Sequence, residues 1–149
     1  MTRLVLPERS SARRLCQIER AAFRDRNTYW TVEDYIRLGG PPIAAVLTDD
    51  EIALGFLALQ FASDEGEILN LGVVPNARRN GLGRKLTHHG IDLAREMGIT
   101  KLSLEVAADN DPARNLYEAS GFEIVGNRRG YYLRADGLRQ DAIVMSLTL

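Results

Sequence analysis

Apolar positions change their spacing along the chain, and each change marks a different kind of element. From about residue 11 to residue 23, Leu15, Ile18 and Ala22 recur at the three-to-four-residue interval of an amphipathic helix. A second helix is predicted from its ends: Thr31 suits an N-cap, Asp34 three residues on resembles the other half of a capping box, and Gly39-Gly40-Pro41-Pro42 closes it. The period then shortens. Residues 43–47, 52–61 and 67–74 are apolar runs of strand length, joined by Thr48-Asp49-Asp50-Glu51 and Ser63-Asp64-Glu65-Gly66, connections short and polar enough for antiparallel hairpins.

Beyond Pro75 a glycine-containing loop leads into a helix whose apolar stripe is Leu82, Leu86, Leu93 and Met97, closed by Gly98. Residues 101–106 alternate Leu102, Leu104 and Val106 with Ser103 and Glu105, which predicts a strand whose glutamate points away from its leucines. Asp111-Pro112 reads as an N-cap followed by proline at the first helical position, and Gly121 as the residue just past that helix. Residues 122–127, 131–133 and 141–149 read as strands, with a turn at Ala135-Asp136-Gly137. Two helices, three strands, helix, strand, helix and further strands fit neither a regular βα alternation nor an all-strand fold. The expectation is one α/β domain of the α+β kind, residues 1–149, with helices on the faces of a mixed sheet.

Composition bounds the function. A chain of 149 residues can bury a core without staples, and 45% apolar with 26% charged residues is ordinary for a soluble globular protein. With 19 basic against 20 acidic residues, a polybasic nucleic-acid binder is excluded as a first reading, so no nucleic-acid partner is expected. All the basic residues but Lys85 and Lys101 are arginines, dispersed along the chain. The longest apolar run, residues 52–59, falls far short of the ~20 residues of a membrane helix, so no membrane partner is expected either. Charges and Pro7 occupy the first ten residues where a signal peptide needs an apolar stretch, and Cys16 is a single cysteine without zinc-ligand spacing around it. A cytoplasmic location, no internal disulfide and no metal follow as expectations. The oligomeric state stays open, and a monomer is compatible with everything above.

The segment richest in chemistry is Val73-Val74-Pro75-Asn76-Ala77-Arg78-Arg79-Asn80-Gly81-Leu82-Gly83-Arg84. A strand ends, glycines allow a tight turn, and a helix opens with amides that have no intrahelical acceptor, an arrangement that attracts phosphate. Arg78, Arg79 and Arg84 add positive charge beside it. The same glycines would also serve a helix that merely opens tightly against a sheet. A Walker loop lacks its Lys-Ser/Thr here, and a dinucleotide fingerprint lacks its third glycine.

Arg78-x-x-Gly81-x-Gly83 instead resembles the Arg/Gln-x-x-Gly-x-Gly/Ala signature of the GNAT N-acetyltransferases. Further ordered segments resemble the branch that acetylates ribosomal-protein alanine: Leu69-Asn70-Leu71-Gly72-Val73, Asn80-Gly81-Leu82-Gly83-Arg84, Leu104-Glu105-Val106, Asn110, Leu116-Tyr117-Glu118, Gly121-Phe122, Arg128-Arg129-Gly130-Tyr131-Tyr132 and Asp141-Ala142-Ile143-Val144-Met145. Where that family has Pro-Trp-Ser/Thr before its second helix, this chain has Tyr29-Trp30-Thr31. The resemblance implies a GNAT fold: a mixed, mostly antiparallel, splayed sheet of about seven strands with four helices on its faces. It also implies acetyl-CoA as cosubstrate.

Acetyl transfer from a thioester to an amine needs a base for the amine, stabilisation of the oxyanion and a proton for the departing thiolate. On the resemblance, Glu105 is the base and Tyr117 the acid. By pattern alone, a solvated or ion-paired strand glutamate is the favoured reading of Glu105, and a helix aromatic packed on the sheet the usual one of Tyr117. The resemblance further assigns the pyrophosphate to Arg78, Arg79, Asn80, Gly81, Leu82, Gly83 and Arg84, and the pantetheine arm and oxyanion to the backbone of Leu71, Gly72 and Val73. Asn110 would hold the cofactor from the other side, though its place before Asp111-Pro112 also suits a turn or cap. Asn70, Tyr131 and Tyr132 are expected at the acceptor, with one ring in the core and one on the surface as the alternative for the tyrosines. His88, His89 and Cys16 receive no chemical role. The acceptor implied is a protein N-terminal α-amine such as that of a ribosomal protein; a small-molecule amine, a lysine side chain and a non-catalytic acyl-CoA-binding module are the other readings.

Overall fold

The first helical pattern forms α1, Ala12–Ala22, which buries Cys16 and Glu19 and turns Gln17, Arg20 and Ala21 to solvent. The computed structural model describes residues 2–5, 12–22, 31, 43–49, 52–133 and 136–149. The second predicted helix, its Gly-Gly-Pro-Pro terminator and Tyr29-Trp30 lie outside the described residues. The extended runs become β2 (Ile43–Asp49), β3 (Ile52–Ala62) and β4 (Glu65–Val73). They follow a short β1, Thr2–Val5, that the sequence reading did not anticipate. Four residues interrupted by Arg3 carry too little periodicity to register; pairing defines the strand, from Thr2 opposite Asp49 to Val5 opposite Val46.

A single 3-10 turn, Pro75–Ala77, precedes α2, Leu82–Glu96. Then come β5 (Lys101–Ala107), α3 (Asp111–Ala119), β6 (Glu123–Leu133) and β7 (Arg139–Thr148). Two details correct the sequence reading. The N-cap of α3 is Asn110, whose side chain accepts from Ala113 N at 3.3 Å, so Asp111 is the first helical residue. Either residue type can cap; with Asn110 in that role, the Asp111 charge sits in the first turn, where the helix dipole favours it. The stretches 122–127 and 131–133, expected as separate strands, merge into the single strand β6, which begins at Glu123 and leaves Phe122 ahead of it. Its register with β7 shifts between Ile124 and Gly126 and again between Arg128 and Tyr132, so the irregular residues are absorbed as bulges.

Among the described residues, seven strands follow the order β1-β2-β3-β4-β5-β7-β6 and three α-helices accompany them. β4 and β5 run parallel, while β1–β2, β2–β3, β5–β7 and β6–β7 are antiparallel. The expected mixed, mostly antiparallel sheet is thus found.

The chain divides into two units, residues 1–60 with 69–90 and residues 61–68 with 91–149. In the first, Phe56, Leu57, Leu59 and Leu86 are fully buried, and Gly90 of α2 passes so close to β3 that an added Cβ would lie 2.6 Å from a Leu57 methyl. In the second, alternation along β5 buries Leu102, Leu104 and Val106 beside Met145 of β7 and Phe122 ahead of β6, while Ala142 of β7, also buried, pairs with Ala107 on the other face. The opposite face of β5 keeps Ser103 and Glu105 partly open. Among the described residues, no helix is long and apolar enough to cross a membrane.

Candidate active site

The loop expected to hold phosphate lies in the first unit. β4 ends at Val73, and Val74 N donates to Leu54 O at 2.9 Å, which keeps the strand end against β3. Ala77 N and Arg78 N then donate back to Val74 O and Pro75 O, closing the 3-10 turn. Arg79 and Gly81 adopt left-handed φ values of 63° and 74°, and the first bond of α2 runs from Lys85 N to Gly81 O at 3.0 Å. The amides of Leu82, Gly83 and Arg84 precede that bond and point from the positive end of the helix dipole.

The side chains divide the work. Arg78 Nε donates to Val73 O at 2.8 Å and ties the loop to β4, while Asn80 Nδ2 donates within the loop to Ala77 O and Arg78 O. Arg79, Gly81 and Arg84 are exposed; Leu82 and Gly83 are half-buried. Thr87, fully buried, donates from Oγ1 to Gly83 O at 2.8 Å and pins the first turn. A Cβ at Gly81 would meet nothing within 4 Å, so the loop keeps open space where its first-turn amides emerge. Open space, first-turn amides and adjacent guanidinium groups fit an anionic pyrophosphate.

Asn70 belongs to the same unit and is half-buried on β4. Its Nδ2 donates at 2.8 Å to Oε2 of Glu19, a carboxylate on α1 with no solvent exposure.

The other predicted residues lie in the second unit. Glu105 is opposite Val144 of β7, and its side chain is 19% exposed, open enough for water or an acceptor and shielded enough to be held in place. Its Oε1 forms an ion pair with Arg128 Nε of β6 at 3.2 Å. Tyr117 on α3 is buried, its ring edge-on to Phe122 with centroids 5.7 Å apart. The packing alternative noted for the Tyr117 ring is therefore present. Asn110 spends its carbonyl oxygen on the α3 cap. Tyr131 is exposed and Tyr132 half-buried, their rings edge-to-face at 5.1 Å, and the Arg128 guanidinium lies 5.2 Å from the Tyr131 ring centroid.

Two residues at this site were not picked out from the sequence. Arg128 appeared there only within a run resembling the family, and Glu67 only as the start of a strand. Register makes them neighbours of the site: Glu67 stands beside Ser103, one step along the same face from Glu105. Desolvation first, then the charge of Glu105, raise the Glu67 carboxyl above its usual 4.5, with Arg128 opposing. Burial, followed by the charge of Glu105 and the neighbouring Tyr131, pushes Tyr132 up to about 12, again against Arg128.

Known proteins resemble this chain in sequence and fold. The model of the acetyltransferase (GNAT) family matches residues 11–122, a span that contains the loop, Glu105 and Tyr117. The chain is 42% identical over 103 residues to the [ribosomal protein bS18]-alanine N-acetyltransferase of Escherichia coli K12, covering 69% of each chain. It is 34% identical over 102 residues to the enzyme of that name from Haemophilus ducreyi, covering 68% of this chain and 70% of that one. It also superposes on the crystal structure of the ribosomal-protein-S18-alanine N-acetyltransferase from Escherichia coli with a TM-score of 0.85 and 34% identity, over 99% of this chain and 94% of that one. With its residues 11–122 matched by the family model and relatives of this similarity, the chain belongs to the acetyltransferase (GNAT) family.

Proposed function

We propose that this enzyme transfers an acetyl group from acetyl-CoA to the N-terminal α-amine of a protein, with a ribosomal protein as the acceptor. The observation that carries the reading is the family match spanning the phosphate loop, Glu105 and Tyr117, joined to relatives whose names specify the alanine of a ribosomal protein. When bound, acetyl-CoA supplies an activated thioester carbonyl.

The chain's own residues supply the rest. The amides of Leu82, Gly83 and Arg84, with Arg79 and Arg84, hold the pyrophosphate; Arg78 and Asn80 shape the loop that presents them. The β4 backbone at Leu71, Gly72 and Val73 offers hydrogen bonds to the pantetheine arm and the carbonyl oxygen, and Asn110 adds a carboxamide. A protein α-amine has a pKa of ~8, so part of it is neutral near pH 7 and attacks as R–NH2, and a carboxylate can take, directly or through one water, the proton that its nitrogen sheds. Glu105 accepts that proton as the carbon–nitrogen bond forms. Tyr117 donates a phenolic proton to the sulfur as the carbon–sulfur bond breaks, so the two transfers leave the products neutral. Tyr131 and Tyr132 flank the amine with apolar rings and hydroxyl groups.

Acetyl transfer to peptides beginning with Ala, Ser or Met, compared with polyamines, aminoglycosides and N-terminally blocked peptides containing lysine, tests the reading. Turnover of free N-termini over the other amines is expected. Turnover of small amines or lysine alone would replace this acceptor, and cofactor binding without any turnover would leave an acyl-CoA-binding module.

A further inference from the structure

Strand register gathers one face of the second unit. On β5 it carries Lys101, Ser103 and Glu105; Glu67 lies beside Ser103 on β4, and Val144 and Gly126 lie beside Glu105 on β7 and β6. Further along the same face, Ala142 pairs with Arg128 and Gln140 with Tyr132. Carboxylates thus enter this face from β4, β5 and β6, the last through Glu123 beside Ser146, and the β6 guanidinium reaches Glu105 across a β7 that presents only Val144 and Ala142 between them. The reverse face of β5, Leu102, Leu104 and Val106, is buried and apolar. Within this unit, the titratable groups on the Glu105 face are therefore Glu65 and Glu67 from β4, Glu123, Arg128, Tyr131 and Tyr132 from β6, and Lys101 at the far end of its own strand, with nothing titratable from β7; Glu67 and Arg128 stand nearest to Glu105 and Glu65 and Glu123 lie further along the face.

We infer that Arg128 is a positioning residue for acetyl transfer: its guanidinium, ion-paired with Glu105 and facing Glu67, holds the Glu105 side chain in place and offsets the charge of the neighbouring carboxylate. Geometry carries the assignment. Arg128 Nε is 3.2 Å from Glu105 Oε1, and the guanidinium is steadied on its other side by the Tyr131 ring 5.2 Å from Cζ. A base must be ionised to receive a proton, and neighbouring carboxylates suppress each other's ionisation. Arginine is charged at every working pH, so it offsets that repulsion without titrating itself. At 56% side-chain exposure it can also yield as an acceptor approaches. The inference rests on Glu105 as the base.

The test compares Arg128→Gln, Arg128→Lys and Glu67→Gln/Arg128→Gln with the wild type. Two quantities are read: the pH profile of kcat/KM with an N-terminal peptide, and the carbon-13 titration of the Glu105 carboxyl, assigned with Glu105→Gln. Arg128→Gln should move the acid limb and the carbon-13 signal midpoint upward together, with kcat/KM lost below the limb and recovered above it. Arg128→Lys should keep both close to the wild type, and removing Glu67 as well should reverse most of the change. A pH-independent loss, or an unmoved carbon-13 titration, overturns the inference while leaving Glu105 as base. If the titration moves and the acid limb does not, Glu105 is not the base, and the proposed mechanism falls along with the role of Arg128 in transfer.

Discussion

Asn70 Nδ2 donates to Glu19 Oε2 at 2.8 Å and joins β4 to α1 across 51 residues of chain. Glu19 has no solvent exposure, so this donor offsets part of the cost of burying a carboxylate. Asn70→Ala removes it and is expected to cost about 1–3 kcal/mol, or a Tm lower by roughly 3–10 °C for a domain of this size. Thermal unfolding of the variant checks this. An unchanged Tm would mean that the contact contributes nothing to stability and would return Asn70 to an acceptor role alone.

Tyr117 combines a packed ring with a hydroxyl assigned to the leaving sulfur. Tyr117→Phe keeps the edge-on contact with Phe122 and deletes the proton donor. A fall in kcat of about 100-fold is expected, with the KM for acetyl-CoA held within a few fold and Tm within a few degrees. Full activity in Tyr117→Phe would reduce the residue to its packing.

At Gly81, charge and backbone strain can be separated. A φ of 74° disfavours any residue with a Cβ, at about 1–2 kcal/mol, while an alanine methyl would meet nothing within 4 Å. Aspartate tolerates this conformation better than alanine. If strain alone mattered, Gly81→Ala would therefore be the worse variant. The phosphate assignment predicts the reverse: Gly81→Asp sets a carboxylate beside the first-turn amides and should raise the KM for acetyl-CoA about tenfold above that of Gly81→Ala. Equal KM values in the two would remove the pyrophosphate from this loop.

Spacing within elements was legible in the sequence, and contact between elements was not. The alternation at residues 101–106 already separated Glu105 from Leu102 and Leu104, and the structure keeps that division. The glycines beyond Pro75 already signalled the turn into α2. Nothing local, however, says that Glu67 stands beside Ser103 or that Arg128 crosses β7, because register depends on pairing partners far away in sequence. Gly55 is silent for the same reason. Its need to be glycine comes from Gly72 O, which would lie 2.8 Å from an added Cβ. The Asn110 cap was ambiguous because Asn and Asp compete for the same role, and β1 was too short to show a period.

Glu67 makes the stability of the fold depend on pH in a definite direction. Desolvation and the Glu105 charge raise its folded-state pKa above 4.5, so the native state holds this proton more tightly than the unfolded chain does. The stability contributed is full below pH 4.5 and is lost as pH rises through the folded-state value. Glutamine mimics the protonated side chain and does not titrate. Glu67→Gln should therefore raise Tm relative to the wild type at pH 7, and this advantage should shrink as the pH falls toward 4. Arg128, which opposes the shift, sets its size: in an Arg128→Gln background the benefit of Glu67→Gln at pH 7 should be larger. Unfolding curves of the four proteins at pH 4, 5.5 and 7 measure both effects. A Tm difference that is flat across this range, or that grows on acidification, would show that Glu67 ionises on this face at no cost.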